Sequence, residues 1–242
     1  MIASWVGLIL LTFVSSVAGT MAGFGLSTIM VPTLLLFFPP VETLMFVGII
    51  HVFGDAWKIL LFRSGIRWRL LAGFAIPAVL TSFLGARLSL AFDETLVSRL
   101  IALVLIAYAA STLFRIRTRV PQTPLTLGIG GAASGFFTGA FGIVGGAIRG
   151  AFLSAYDLPK AAYIASAGAI AAFVDTVRLI TYAAGGARLE TSLAWILVAC
   201  VPASFAGAVL ARGLLARVPQ RRFRQLIAGF LTLVSLKLLF SP

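Results

Sequence analysis

Charge is what this chain lacks most. Only 11% of its 242 residues are charged, and just 7 are acidic. A soluble fold must keep a polar exterior, and a chain that is 60% hydrophobic with so little charge cannot supply one. Its 1 cysteine, Cys200, excludes an internal disulfide and a multi-cysteine metal site, and reads as a small apolar helix residue. With 1 histidine, His51, the chain has no His/Cys/Asp metal spacing and no Ser-His pair with a third partner. No P-loop lysine or serine follows its glycines, and no stretch of these residues reads as a soluble nucleotide-binding domain, which argues against an ATP-driven pump. Short alternating strands are missing too, so a β-barrel is not indicated.

What is present is one apolar run after another. Mean hydropathy is +1.08. The runs cover 3–18, 26–38, 41–62, 70–92, 96–114, 123–137, 143–156, 161–184, 191–211 and 226–240. In lipid, backbone polar groups must be satisfied internally, so these runs predict helices and an all-α polytopic membrane protein. Ser16-Val17-Ala18 faintly resembles a cleavage site. The first run has no basic leader and has a counterpart later, so it is read as part of the mature fold. Pro39-Pro40 and Pro159 punctuate the runs, because proline removes a donor and clashes with the preceding turn. The net charge of +12 sits in short loops between the runs. That is the positive-inside pattern of a multi-pass protein in the cell inner (plasma) membrane, and no nucleic-acid partner is expected.

The chain repeats itself. Gly19 and Gly23 correspond to Gly135 and Gly139 at an offset of 116. Asp55-Ala56-Trp57-Lys58 corresponds to Asp175-Thr176-Val177-Arg178 at 120. Pro77 with Ala86-Arg87 matches Pro202 with Ala211-Arg212 at 125, and Leu100-Ile101-Ala102 matches Leu226-Ile227-Ala228 at 126. These matches divide the chain into a first repeat, 1–114, a basic linker, 115–122, and a second repeat, 123–242. Five runs per repeat is an odd number, so the second repeat is expected to be inverted. Loop charge agrees: the 63–69 loop carries Arg63, Arg67 and Arg69, while its counterpart, 185–190, is nearly neutral. The 92–95 loop carries Asp93 and Glu94, while its counterpart, 212–224, carries five arginines. Inverted repeats are the architecture of many secondary transporters. On this reading the basic loops and linker are cytoplasmic and both termini lie outside. Each Gly-flanked pair of runs is either two crossings or one broken, re-entrant pair beside three transmembrane helices.

The glycine clusters are the first candidate chemistry. Glycine lets a helix break and lets a ligand approach the backbone. N–H groups freed at the start of the next half-helix point their positive dipole end into the gap. Gly23, Gly25, Ser27 and Thr28 fit such a start in the first repeat, and Thr138, Gly139, Gly142, Gly145 and Gly146 in the second. The plainer reading is helix packing, since both clusters fit the small-xxx-small pattern. Arg149 follows the second cluster with no acidic neighbour in sequence; its guanidinium fork suits an oxyanion, and Asp157 is a candidate structural partner. Asp55 with Lys58, and Asp175 with Arg178, lie three apart on a helix face and can pair. They read as structural ion pairs or as cations shared with a passing anion. His51, one turn before Asp55, is a candidate proton relay or a satisfied internal residue.

These features resemble the sulfite exporter TauE/SafE family of membrane permeases. The resemblance rests on Gly19-x-x-x-Gly23-x-Gly25 with Pro32, on Gly135-x-x-x-Gly139-x-x-Gly142-x-x-Gly145-Gly146, on size, on duplication and on the basic linker. It covers nearly the whole chain. The first copy departs from the pattern, with Leu26-Ser27-Thr28 where the family has a run of glycines. The resemblance implies transport of small sulfur-containing anions, sulfite or organosulfonates. The expectation is therefore a secondary transporter of a small anion, by alternating access around a midplane site, with no cofactor and no metal. Its partners are the anion and the lipid bilayer, and a homo-oligomer is left open. The rival is a passive anion channel with a glycine-lined filter. A membrane enzyme would have only His51 with Asp55 to work with, and a cation transporter would find both aspartates already beside cations.

Overall fold

The computed structural model describes residues 2–22, 25–62, 66–114, 120–214 and 220–240. Among them the chain forms ten helices: α1 (Ile2–Ala22), α2 (Ser27–Leu34), α3 (Pro40–Phe62), α4 (Trp68–Ala91), α5 (Glu94–Leu113), α6 (Pro124–Phe141), α7 (Gly145–Ser154), α8 (Lys160–Ala184), α9 (Thr191–Leu214) and α10 (Gln220–Phe240). Each apolar run of the sequence is one helix. The fold is all-α, and α4, α5 and long stretches of α8 and α9 are long and apolar enough to cross a membrane.

The helix starts follow local chemistry. Pro40 and Pro124 stand at first helical positions, where a missing N–H costs nothing. The Asp93 carboxylate accepts the Leu96 N–H at 2.9 Å and caps α5. Thr123 and Thr126 form a reciprocal capping box at α6. Pro32, Pro77 and Pro202 lie inside helices, as membrane helices tolerate.

The helices gather into two compact units. One takes 1–50, 92–116 and 188–242; in it α1 packs on α9, α5 on α10, and α2 lies against α1 and α10. The other takes 51–91 and 117–187; in it α4 packs on α6 and α8, and α7 lies against α6 and α8. Each unit therefore draws helices from both 1–114 and 123–242. In one, α1 packs on α9, and in the other α6 packs on α4.

The α4–α6 contact explains several glycines. A Cβ on Gly131, Gly135 or Gly139 would strike the backbone of Phe74, Ala78 or Ser82 respectively. The step is four residues on both helices, so one stripe of each meets the other at backbone distance. Gly85 meets the Phe136 carbonyl and Ala140 in the same way. In the other unit Gly207 meets the Phe13 carbonyl, and the Ser16 hydroxyl donates to the Ser204 carbonyl. Leu71, Phe74, Ala75, Ala78, Leu153, Ala169, Ile170 and Val174 form one buried cluster, which fastens α7 to α4 and α8. The Phe74 and Phe152 rings meet edge to face at 6.4 Å beside it.

Candidate functional site

The two glycine clusters end two helices. At the first, Gly25 adopts φ 89°, backbone that favours glycine. Its N–H donates to the Gly19 carbonyl at 3.2 Å. A Cβ on Gly19 would collide with the Gly25 backbone and the Leu26 nitrogen, so Gly19 lets the chain fold back on α1. Ser27 and Thr28, both buried, open α2. Their hydroxyls have no hydrogen-bond partner among the described residues. Gly23 lies outside the described residues.

At the second, Gly142 at φ 67° closes α6, and its N–H donates to the Thr138 carbonyl at 2.9 Å. Val144 follows at φ 63°, a strained conformation for a β-branched side chain, and α7 begins at Gly145. Gly145 sits hard against the Ser134 carbonyl and the Thr138 hydroxyl, where a Cβ would not fit. The Ser134 hydroxyl donates to the Gly145 carbonyl at 2.7 Å. Thr138, a candidate anion donor in the sequence, donates its hydroxyl proton to the Ser134 carbonyl at 2.7 Å. At the start of α7 the Gly145 N–H donates to the Ile143 carbonyl at 2.7 Å and the Ile148 N–H to the Val144 carbonyl at 3.0 Å, which leaves those of Gly146 and Ala147 without a partner within the helix. Arg149 lies four residues after Gly145 and is 7% exposed. Among the described residues it makes no hydrogen bond or ion pair, with Asp157 or any other.

The last carbonyls of α6 are claimed by side chains. Arg178 Nη1 donates to the Thr138 carbonyl at 3.3 Å, the Tyr182 hydroxyl to the Gly139 carbonyl at 2.6 Å, and the Ser89 hydroxyl to the Ala140 carbonyl. A helix end buried away from water must find such partners. Arg178 Nη2 lies 2.6 Å from Asp175 Oδ1. His51 Nδ1 lies 2.9 Å from Asp175 Oδ2 and 3.2 Å from Asp55 Oδ2. Asp55, Asp175 and Arg178 are each 1% exposed, so the cluster is held away from solvent. Arg178 Nε is buried with no acceptor among the described residues. The imidazole and two carboxylates offer three ligand-type atoms within 4.8 Å of one another. Nδ1 lies between both carboxylates and Arg178 pairs with Asp175, so internal pairing draws these atoms together.

The structure thus brings His51, Asp55, Asp175 and Arg178 together at the end of α6, within one unit. The Lys58 side chain lies outside the described residues, as do 115–119 of the basic linker. Gly139 serves the α4 contact, and its carbonyl, not its N–H, meets a side chain. Sequence reasoning missed Ser89, Ser134 and Tyr182. Tyr182 carried a signal, since Asp175, Arg178 and Tyr182 recur at three and four residues on one face of α8.

The chain matches the family described as Sulfite exporter TauE/SafE over residues 8–238, nearly its whole length. The chain belongs to this family. TauE/SafE membership and the apolar helices together make it a multi-pass membrane protein of a transporter family. Both helix breaks and the His51–Arg178 cluster fall within the matched residues. No curated protein and no solved structure gave a match.

Proposed function

We propose that the chain is a secondary transporter of a small sulfur oxyanion, sulfite or an organosulfonate, working by alternating access. The observation that carries this reading is Arg149: an arginine only 7% exposed that makes no hydrogen bond or ion pair with the described residues, one turn into a helix that starts at a break. An uncompensated cation is costly inside a membrane protein, and an arriving anion would remove that cost. The N–H groups of Gly146 and Ala147, at the start of α7, would face the same anion with the positive end of the helix dipole. Arg178 Nε adds a second donor, with no acceptor among the described residues. Ser27, Thr28, Gly25 and the start of α2 are the corresponding elements at the first break, and Gly23 belongs with them by sequence. Gly142, Gly145 and Gly146 act by leaving the backbone bare.

In this reading the protein sits in the inner (plasma) membrane as two inverted repeats, with the basic loops on the cytoplasmic side and both termini outside. No cofactor takes part and the chemistry is transport, not catalysis. Flux of sulfite into proteoliposomes tests the proposal. Wild type is expected to show saturable flux and counterflow, which a passive channel lacks. Arg149→Ala is expected to cut flux by about 10-fold or more, the loss of one charge-assisted contact of roughly 1.5–3 kcal/mol. Absence of flux from wild type, or full flux from the variant, overturns it.

A further inference from the structure

We infer that His51 is a proton-carrying group whose charge state is transmitted to the α6–α7 break, so that anion movement is coupled to a proton. The inference rests on the anion-transporter reading and adds a second transported species to it.

The geometry is a chain of direct contacts. His51 Nδ1 bridges Asp55 and Asp175. The other oxygen of Asp175 holds Arg178, and Arg178 holds the Thr138 carbonyl. That same carbonyl accepts the Gly142 N–H, the bond that closes α6 before the break. Four contacts therefore lead from the imidazole to the residue where the helix ends. With Nδ1 occupied between the carboxylates, Nε2 is the nitrogen free to take up or release a proton. The His51 side chain keeps 13% exposure, while both carboxylates are almost fully enclosed, so a proton reaches the cluster through the imidazole.

Protonation adds one positive charge beside two carboxylates and a guanidinium. Both His51 and Arg178 then compete for Asp175. A tighter hold by an imidazolium loosens the claim of Arg178 on that carboxylate and leaves its fork freer for an anion. Other ionisable groups on the surrounding helices are few. On α8 there is Tyr182, whose hydroxyl donates to the Gly139 carbonyl, while Lys160 and Tyr163 lie in the first turns of α8 and Arg69 in the first turn of α4. The segment of α6 has no ionisable side chain. Arg149 lies on α7, and Arg87 on α4 stacks on Phe83 at 5.7 Å. Lys58 follows Asp55 on α3, with its side chain outside the described residues. Arg178 balances one of the two carboxylates, so the charge state of the imidazole decides whether these four side chains together are neutral.

His51 is the 1 histidine of the chain, so its protonation can be read without ambiguity. The first measurement is nitrogen NMR of histidine-labelled wild type, titrated with and without sulfite. The expected result is a change in imidazole protonation when sulfite saturates the protein; a signal unmoved by sulfite overturns the inference. The second measurement follows internal pH and sulfite together in proteoliposomes. Wild type should move protons with sulfite, and a gradient of about one pH unit should drive about tenfold accumulation for one coupled proton. His51→Gln should lose that accumulation. The readout is protons per sulfite, so a slower variant is as informative as a fast one, and both proteins meet the same sulfite speciation. Sulfite flux without proton movement in wild type, or unchanged coupling in His51→Gln, overturns the proton assignment and leaves the anion reading standing. No sulfite flux at all in wild type removes the anion reading, and this inference with it.

Discussion

At the first helix break, one glycine, Gly25, takes the left-handed backbone, and the neighbouring buried polar groups are hydroxyls: Thr12, Ser15, Ser16, Ser27 and Thr28. At the second, Gly142 and Val144 both take positive φ, and the end of α6 is tied by Arg178, Tyr182 and Ser89. One glycine-rich break is thus built from backbone and hydroxyls and the other around buried charge. Buried charge is costly to hold and is retained where it can be exchanged with something that moves. On the proposed reading the second break is where substrate and proton chemistry concentrate, while the first supplies a close turn that opens onto the Ser27 and Thr28 hydroxyls.

The largest test of that contrast removes the charge. Arg178→Ala leaves Asp175 buried beside the Asp55 carboxylate, with His51 as its remaining partner among the described residues, and should cost about 3–5 kcal/mol. Ser27→Ala at the first break touches no described hydrogen bond and should stay within about 0.5 kcal/mol. Thermal unfolding of the detergent-solubilised proteins would compare them. Equal melting temperatures would mean that the two breaks do not differ as described. Restoring neutrality with Arg178→Met and Asp175→Asn together should recover part of the loss, because paired removal of buried charges is far cheaper than removal of one.

The next test separates packing from breaking. Gly135→Ala would push a methyl into the Ala78 backbone and should destabilise by about 1–3 kcal/mol. Gly19→Ala would push one into the Gly25 turn itself. Both should lower the melting temperature, and the first should also loosen α4 from α6, seen as faster hydrogen exchange in α4. Gly128→Ala, with nothing within 4 Å, is the control and should be neutral or slightly stabilising. If Gly135→Ala behaves like Gly128→Ala, the glycine stripe is not what holds α4 to α6.

Hydropathy marked all ten helices, because each holds a predominantly apolar run between punctuation such as Pro39-Pro40 and Pro159. The site was legible in part. Asp175 and Arg178 are neighbours on one helix face, so their pairing is written in spacing. The contact of His51 with Asp175 joins positions 124 residues apart, and no periodicity encodes it. Tyr182 and Ser89 were passed over because hydroxyls in apolar runs look like neutral filler. Their role appears only when the end of α6 is seen to need partners for its carbonyls. The compact units were not legible either, since each mixes helices from both repeats and a repeat in sequence says nothing about which helices pack together.

The smallest expected effect concerns Val144, the one point where the second break holds a β-branched residue at positive φ and the first has glycine. A sparsely populated backbone conformation such as φ 63° with ψ −32° costs an ordinary residue about 1–3 kcal/mol. Val144→Gly removes that strain but adds about 0.5–1 kcal/mol of backbone entropy to the unfolded chain, and loses some half-buried side-chain contact. The terms nearly cancel, so the melting temperature should move little, upward if at all. Transport should respond more than stability. A strained residue between α6 and α7 fixes the angle at which α7 leaves the break, and glycine would release it. Weaker sulfite binding at near-unchanged stability is the expected pattern, measured by thermal shift with added sulfite. A clear loss of stability would instead mean that the Val144 side chain matters for packing and that its backbone is not a store of strain. Unchanged binding would make the two breaks equivalent at this position despite their different residues.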